Sequence, residues 1–203
     1  EEAEALALEY DMEFEILDVT MMEAMGMHAL LAVGQGSIHP PCLVTIKYNG
    51  AGAAPYTAYV GKGITFDSGG ISIKPSDNMG EMKDDMAGAG AVLGALRAIA
   101  ALKIPCNVMG IIACAENMPS GSAQRPGDVV KAANGKTIEV ISTDAEGRMV
   151  LADSVWYACK QGADKVVDIA TLTGGVIVAL GTETAGVVAV SYTHLRAHET
   201  VLD

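Results

Sequence analysis

The stretch Val60-Gly61-Lys62-Gly63-Ile64-Thr65-Phe66-Asp67-Ser68-Gly69-Gly70 decides how this chain folds, because a β-branched, apolar run ends there at a glycine turn. Such runs are typical of buried strands, and the pattern predicts a strand over residues 56–66. The strand delivers Lys62 and Asp67 to one end. The turn then reverses the chain into residues 71–74, which is expected to bring Lys74 back beside them.

Working outward from this strand, apolar runs alternate with amphipathic or small-residue segments. Alternation of strands and helices predicts an α/β layered domain with a largely buried sheet. Residues 137–142 are expected to lead into the next polar cluster. Strands are predicted at residues 13–18, 42–48, 106–114, 165–171 and 186–190, and helices at residues 1–9, 21–31, 85–102, 127–133 and 148–161.

A second polar cluster is the run Thr143-Asp144-Ala145-Glu146-Gly147-Arg148-Met149. Read as an extended segment, it places Asp144, Glu146 and Arg148 on one side, because alternate side chains of a strand point the same way. Two carboxylates and a guanidinium on one face need opposite charges near them. Divalent cations would balance the acids, and an anion would balance the arginine.

A third acidic segment, Lys83-Asp84-Asp85-Met86, opens a helix of small residues. Each segment alone has a plainer interpretation: a solvated turn at residues 143–147, a surface lysine in a hairpin at Lys62, and helix capping at Asp84 and Asp85. Taken together, hard oxygen ligands from several separate segments indicate a site for two divalent metals.

These motifs, in this order and spacing, resemble the cytosolic leucyl aminopeptidase family (metallopeptidase family M17). The resemblance covers roughly residues 24–189. It implies a three-layer α/β/α catalytic domain with a mixed, mostly buried central sheet, incomplete at its C-terminus. By motif position it implies that two divalent ions (Mn²⁺ or Zn²⁺) are held by Lys62, Asp67, Asp85, Asp144 and Glu146.

The same resemblance assigns catalytic roles to two further residues. Lys74 falls where the family's lysine polarises the scissile carbonyl. Arg148 falls where an arginine holds a bicarbonate-like anion that serves as general base. Ser142 departs from the family's usual asparagine, at a position that is not a ligand. The segment 115–128, also similar to the family, is interpreted as a loop that shapes the pocket.

The chemistry is consistent with such a site. Two cations would supply an activated water near neutral pH, and a free amino terminus can ligate a metal, which selects substrates by their first residue. Lys74 would help to stabilise the oxyanion. Lys62 needs a lone pair to bind metal, and two dications with partial burial are expected to lower its pKa.

Composition excludes other classes of function. The net charge of −12 over 203 residues argues against nucleic-acid and anionic-membrane binding. The four cysteines form no C-x-x-C pair, which favours a reducing, cytoplasmic location without a disulfide framework. No signal peptide is visible, and the apolar stretch 86–99 is interpreted as a core helix. The expected partners are peptide substrates and, by the resemblance, identical subunits in a homo-hexamer.

Residues 1–190 are therefore expected to form part of an M17-like catalytic domain, clipped at both ends. Residues 191–203 lack the family's pattern, and we interpret them as an artefactual tail. Within that tail, His194 and His198 followed by Glu199 match no zinc motif, so no site is assigned there.

Three hypotheses follow from the sequence. The first is a two-metal aminopeptidase that removes N-terminal residues, with leucine among those preferred. The second is an inactive or structural fragment of such an enzyme. The third is a two-metal phosphoester hydrolase, which the lysine ligand and the spacing disfavour. Activity on a leucyl amide but not on a phenyl phosphate would distinguish the first from the third.

Overall fold

A computed structural model describes residues 1–190 of the chain. Residues 1–171 form one compact unit, and a second unit begins at Leu172. The predicted tail over 191–203, including its histidine pair, lies outside the described residues. The helices are α1 (Glu2–Glu9), α2 (Val19–Ala24), α3 (His28–Gly34), α4 (Ala87–Ala101), α5 (Glu146–Lys160) and α6 (Gly175–Leu180). The strands are β1 (Glu13–Leu17), β2 (Cys42–Asn49), β3 (Tyr56–Asp67), β4 (Asn107–Asn117), β5 (Val129–Lys131), β6 (Thr137–Glu139) and β7 (Ala163–Ile169).

Five strands of the first unit form a mixed sheet in the order β1-β2-β4-β3-β7. Strand β2 pairs antiparallel with β1 and β4, whereas β3 runs parallel to both β4 and β7. One face of the sheet packs on α2, α3 and α5 and the other on α1 and α4. The predicted α/β fold with a mixed central sheet between helical layers is confirmed.

The sheet buries its central strands because they are apolar on both faces. In β4, Ile111 and Ala113 belong to the core beneath α3 and α5, and Val108 and Ile112 belong to the core beneath α4. Helix α4 approaches β3 very closely: a Cβ added at Gly61 would lie 2.7 Å from the Cα of Ala89. Small residues at this crossing therefore let α4, and the acidic segment before it, lie against the strand that carries Lys62.

Two predicted helices are wrong. The helix predicted at residues 21–31 is two helices, because Gly26 adopts a φ of +73° between α2 and α3. The helix predicted at residues 127–133 is strand β5, which pairs antiparallel with β6 through Val130 and Ile138. The two adjacent valines of β5 are β-branched and favour an extended backbone. The prediction followed the spacing of apolar residues and did not weigh this preference.

The second unit contains α6, and it contains no strand among residues 172–190. The strand predicted at residues 186–190 is therefore wrong. The segment is rich in valine, as strands often are, but such a segment forms a strand only where it can pair with a neighbouring strand and pack one face. None of the helices that the structure describes combines the length and apolar character needed to cross a bilayer.

Candidate metal centre

Ionisable side chains from four segments of the first unit meet where strand β3 ends. Strand β3 supplies Lys62 and Asp67, and the 3₁₀ turn Met79–Asp84 leads to Asp85 just before α4. A second 3₁₀ turn, Thr143–Ala145, carries Asp144, and Glu146 is the first residue of α5. The carboxyl ends of parallel strands are where α/β sheets usually build their sites, and this cluster follows that rule.

Lys62 lies at the centre of the cluster with only 2% of its surface exposed. Its Nζ lies 2.8 Å from Asp85 Oδ1 and 2.8 Å from Glu146 Oε1, and it donates to the carbonyl oxygen of Thr171 at 2.9 Å. Three acceptors match the three protons of an ammonium group. The interpretation of Lys62 as a surface lysine in a hairpin is therefore wrong.

The pKa of Lys62 reflects two opposing effects. Burial lowers it, but the charges and hydrogen bonds of Glu146 and Asp85 outweigh burial, so the net shift is upward. With carboxylates alone as neighbours, the lysine thus supplies the positive charge that they require. A dication bound between the acids would take over that role and favour the neutral amine, which is the form that can ligate a metal.

Lys74 forms a second bridge at the more open side of the cluster, where 23% of its side chain is exposed. Its Nζ lies 2.9 Å from Asp67 Oδ2 and 2.7 Å from Asp144 Oδ1. Burial lowers the pKa of Lys74, but the hydrogen bonds that it donates to Asp144 and Asp67 raise it above its usual value overall. The turn at residues 68–70 therefore brings Lys74 back to the end of β3.

The acidic groups of the cluster are arranged to bind a cation. One oxygen each from Asp67, Asp144 and Glu146 lie within 4.8 Å of one another, a separation that a single ion can bridge. In addition, Asp85 Oδ2 and Glu146 Oε2 are buried and have no hydrogen-bond partner within residues 1–190. Buried carboxylate oxygens without partners are costly, and hard oxygen ligands suit divalent ions such as Mg²⁺ or Mn²⁺. The donor set therefore fits a divalent cation.

Burial is the main influence on the titration of two of these acids. It raises the pKa of Asp85, against lowering hydrogen bonds from Lys62 and Thr171. It also raises the pKa of Glu146, against the charge of Lys62. Both carboxylates thus depend on nearby positive charge to remain ionised. Asp85 does not cap α4, whose N-cap is Met86 without a side-chain hydrogen bond, so the capping interpretation finds no support.

The run 143–149 is not extended as predicted. It forms a 3₁₀ turn followed by the first residues of α5, because Ser142 accepts a hydrogen bond from the Asp144 N–H and so starts the turn. Residues two apart on a helix point about 160° apart, and accordingly Glu146 is buried whereas Arg148 is exposed. Within the part of the chain that the structure describes, Arg148 has no carboxylate in ion-pair range.

Two positioning residues were missed from the sequence. Asn117, at the end of β4, is buried and donates from Nδ2 to Asp67 Oδ1 at 2.8 Å and to the Thr143 carbonyl at 3.0 Å. Thr171 donates to Asp85 Oδ1 at 2.7 Å. The available signal was position: Asn117 ends strand β4 and Thr171 follows strand β7, and both strands run parallel to β3, which carries Lys62 and Asp67.

The fold and this cluster define an α/β protein with a carboxylate-rich centre suited to a divalent cation. The family model described as the cytosol aminopeptidase family, catalytic domain, matches residues 1–201. The chain therefore belongs to the cytosol aminopeptidase family.

Individual relatives agree with this assignment. Over 175 residues, which are 85% of the chain and 35% of the relative, it is 57% identical to a "Probable cytosol aminopeptidase" of Afipia carboxidovorans. Over 188 residues, 91% of the chain and 38% of the relative, it is 54% identical to a "Probable cytosol aminopeptidase" of Azotobacter vinelandii. Over 189 residues, 92% of the chain and 38% of the relative, it is 52% identical to a "Cytosol aminopeptidase" of Pseudomonas aeruginosa. The chain thus spans little more than a third of the length of these relatives.

Proposed function

We propose that this chain is the metal-binding part of an aminopeptidase that hydrolyses the N-terminal residue, leucine-like ones preferred, from peptides. The observation that carries the proposal is the buried Lys62, bridged to Asp85 and to Glu146, which is itself one of three convergent carboxylates. A protein that needed only a stable core would gain little from such a cluster, because buried ion pairs are often no more stabilising than apolar residues. Family membership and the names of the relatives support the same function.

In this proposal five residues hold two divalent cations, Mn²⁺ or Zn²⁺. When bound, the ions supply an activated water and a Lewis acid. Lys62 and Glu146 are buried and would form the inner side of the site, while Asp144, which is partly exposed, lies on its open side. The ligands are Lys62, Asp67, Asp85, Asp144 and Glu146.

Two cationic side chains complete the proposed reaction. Lys74 Nζ donates hydrogen bonds and lies on the open side of the cluster, where a substrate carbonyl can reach it. It would stabilise the negative charge that develops on that oxygen. The exposed guanidinium of Arg148 would hold a bicarbonate-like anion, which accepts a proton as general base. The expected homo-hexamer and cytoplasmic location belong to the same proposal.

The test is hydrolysis of a leucyl anilide by the purified chain with added Mn²⁺ or Zn²⁺, with and without a chelator. Chelator-sensitive turnover that is lost in Asp144→Asn and retained in Asp164→Asn would support the proposal. Asp164 is a matched control, because its carboxylate is exposed on the edge strand β7.

Two outcomes would contradict the proposal. A chain that binds metal but releases no aniline would favour the structural-fragment hypothesis. Hydrolysis of phenyl phosphate in place of the leucyl anilide would favour the phosphoester hydrolase. Metal content measured on the same samples distinguishes a chain without metal from a metal-loaded chain without activity.

A further inference from the structure

Two of the four cysteines face each other across neighbouring strands, away from the polar cluster. Cys42 begins β2, and its partner in the antiparallel register with β4 is Cys114. Residues directly opposite in such a register project to the same face of the sheet. Both side chains accordingly pack at the margin of the core beneath α4, and both are only partly buried, so small reagents can reach them.

The backbone distance suits a covalent bond between the two sulfurs. Opposite residues of an antiparallel pair have Cα atoms about 4.5 Å or about 5.5 Å apart, depending on the hydrogen-bonding of the pair. A disulfide requires Cα atoms about 4.4–6.8 Å apart. A bond between Cys42 and Cys114 therefore needs side-chain rotation and no movement of the strands.

The electrostatics of the pair favour Cys42 as the thiol that ionises first. A hydrogen bond from the Cys114 thiol is the largest influence on Cys42 and lowers its pKa to about 7, although burial opposes the shift. The same contact, together with burial, raises the pKa of Cys114. Cys42 thus has a substantial thiolate fraction near neutral pH, and the thiolate is the form that attacks oxidants.

We propose that Cys42 and Cys114 form a redox modification site, at which hydrogen peroxide converts the two thiols into a reversible cross-strand disulfide. The thiolate sulfur of Cys42 attacks one peroxide oxygen, the O–O bond breaks, and the other oxygen leaves as water after it takes up a proton. The sulfur of Cys114 then attacks the resulting sulfenic acid and displaces its hydroxyl group as a second water. Two thiols and one hydrogen peroxide thus give one disulfide and two waters.

The other two cysteines are poor partners for this reaction. Cys106 lies eight residues before Cys114 along an extended segment, which separates the two by about 27 Å. Cys159 is exposed near the end of α5, on the opposite side of the sheet from α4. A native chain should therefore form one specific bond, whereas an unfolded chain should form a mixture.

The bond would act on the strand that serves the polar cluster. Cys114 is one residue beyond Ala113, the register partner of Lys62, and three residues before Asn117, which holds Asp67. A link there would close a loop of about 70 residues, which restricts the unfolded chain and raises stability. The oxidised protein is therefore expected to unfold at higher temperature than the reduced protein.

The test treats the folded chain with hydrogen peroxide in slight excess, blocks remaining thiols with an alkylating reagent, and maps the digest by mass spectrometry. The expected product is a peptide containing Cys42 linked to one containing Cys114, two mass units lighter than the sum of the reduced peptides and separated by a dithiol reductant. Cys106 should remain a free thiol during the peroxide treatment and be recovered in its alkylated form. The same treatment in denaturant should give mixed pairings.

Variants separate this site from general oxidation. Cys42→Ser and Cys114→Ser should each abolish the linked peptide, and Cys106→Ser and Cys159→Ser should each retain it. The proposal is overturned if the folded chain, treated with peroxide in the absence of denaturant, gives mixed pairings. It is equally overturned if, in the wild-type chain, Cys42 and Cys114 stay free or gain oxygen separately while exposed Cys159 oxidises. The mapping of the wild-type chain tests the proposal even if a variant fails to fold.

Discussion

Two buried carboxylates on helix α5, Glu146 and Asp153, show how an acid held for binding differs from one held for structure. Glu146 is 2% exposed; one oxygen lies on Lys62, and the other has no partner in the described part of the chain. Asp153 is fully buried, and its oxygens accept from the Leu30 N–H at 2.9 Å and the Ala133 N–H at 2.8 Å. Burial raises the pKa of both acids.

The difference lies in how the oxygens are satisfied. Both oxygens of Asp153 accept from backbone N–H groups, so this side chain joins α3 and the segment after β5 to α5. Among the described residues, Glu146 keeps an oxygen without a partner beside two other carboxylates, at a cost that a bound cation would offset. Removing each acid should therefore affect a different property of the protein.

The largest expected effect is on metal binding. Glu146→Gln should weaken the affinity for Mn²⁺ or Zn²⁺ by more than about 100-fold, because even residues behind the ligands typically contribute about 10–100-fold. Isothermal titration calorimetry measures this affinity directly. Asp153→Asn, which keeps nearly the same shape, should leave it within a few-fold of the wild type. Equal losses in the two variants would contradict the distinction between the two acids.

The next effect concerns Lys74, which bridges the open side of the cluster as Lys62 bridges the buried side. Lys74→Ala should reduce turnover of a leucyl anilide by about 10²–10³-fold if it acts as an oxyanion donor. Metal content should not change, because the proposed ligands remain. Loss of metal in this variant would show that Lys74 holds the site together instead of acting on the substrate.

The sequence predicted the members of the cluster better than their geometry. Lys62, Asp67, Asp85, Asp144, Glu146 and Lys74 were identified from three polar motifs and their resemblance to one family, and the structure brings them together. The 3₁₀ turn at Thr143–Ala145 was missed, because alternation of side chains over a few residues does not distinguish a strand from a turn that enters a helix.

Contacts between residues far apart in the chain also could not be predicted from one sequence. Asn117 holds Asp67 across two parallel strands, and Asp153 binds an amide 123 residues away. The sequence assigned neither residue a role, since the contacts of each depend on the register of the sheet or the packing of α5 on α3. Strands β3 and β4 were nevertheless predicted well, because a continuous apolar run has few alternatives to a buried strand.

A smaller effect is expected on stability, and it tests the structural acid. Asp153→Ala removes the acceptor of the buried Leu30 N–H and of the partly buried Ala133 N–H, and the buried group should cost about 1–3 kcal/mol of unfolding free energy. Urea denaturation measures the change. The control Asp164→Ala removes an exposed carboxylate and should change the free energy by less than about 0.5 kcal/mol. Comparable effects in the two variants would mean that Asp153 does not join α3 to α5.

The smallest effect belongs to Tyr157, one turn beyond Asp153, whose hydroxyl donates to Glu15 Oε2 at 3.0 Å. Burial, aided by Glu15, raises the pKa of this tyrosine to about 12, above an unfolded value of about 10. Between these values the unfolded chain loses the phenolic proton first, so stability should fall as pH rises from about 10 to about 12. Tyr157→Phe removes the hydrogen bond, at a cost of about 1 kcal/mol at neutral pH, and should lose this part of the alkaline decline. Denaturation curves at pH 8 and pH 11 measure both changes, and a decline of equal size in wild type and variant would show that other groups cause it.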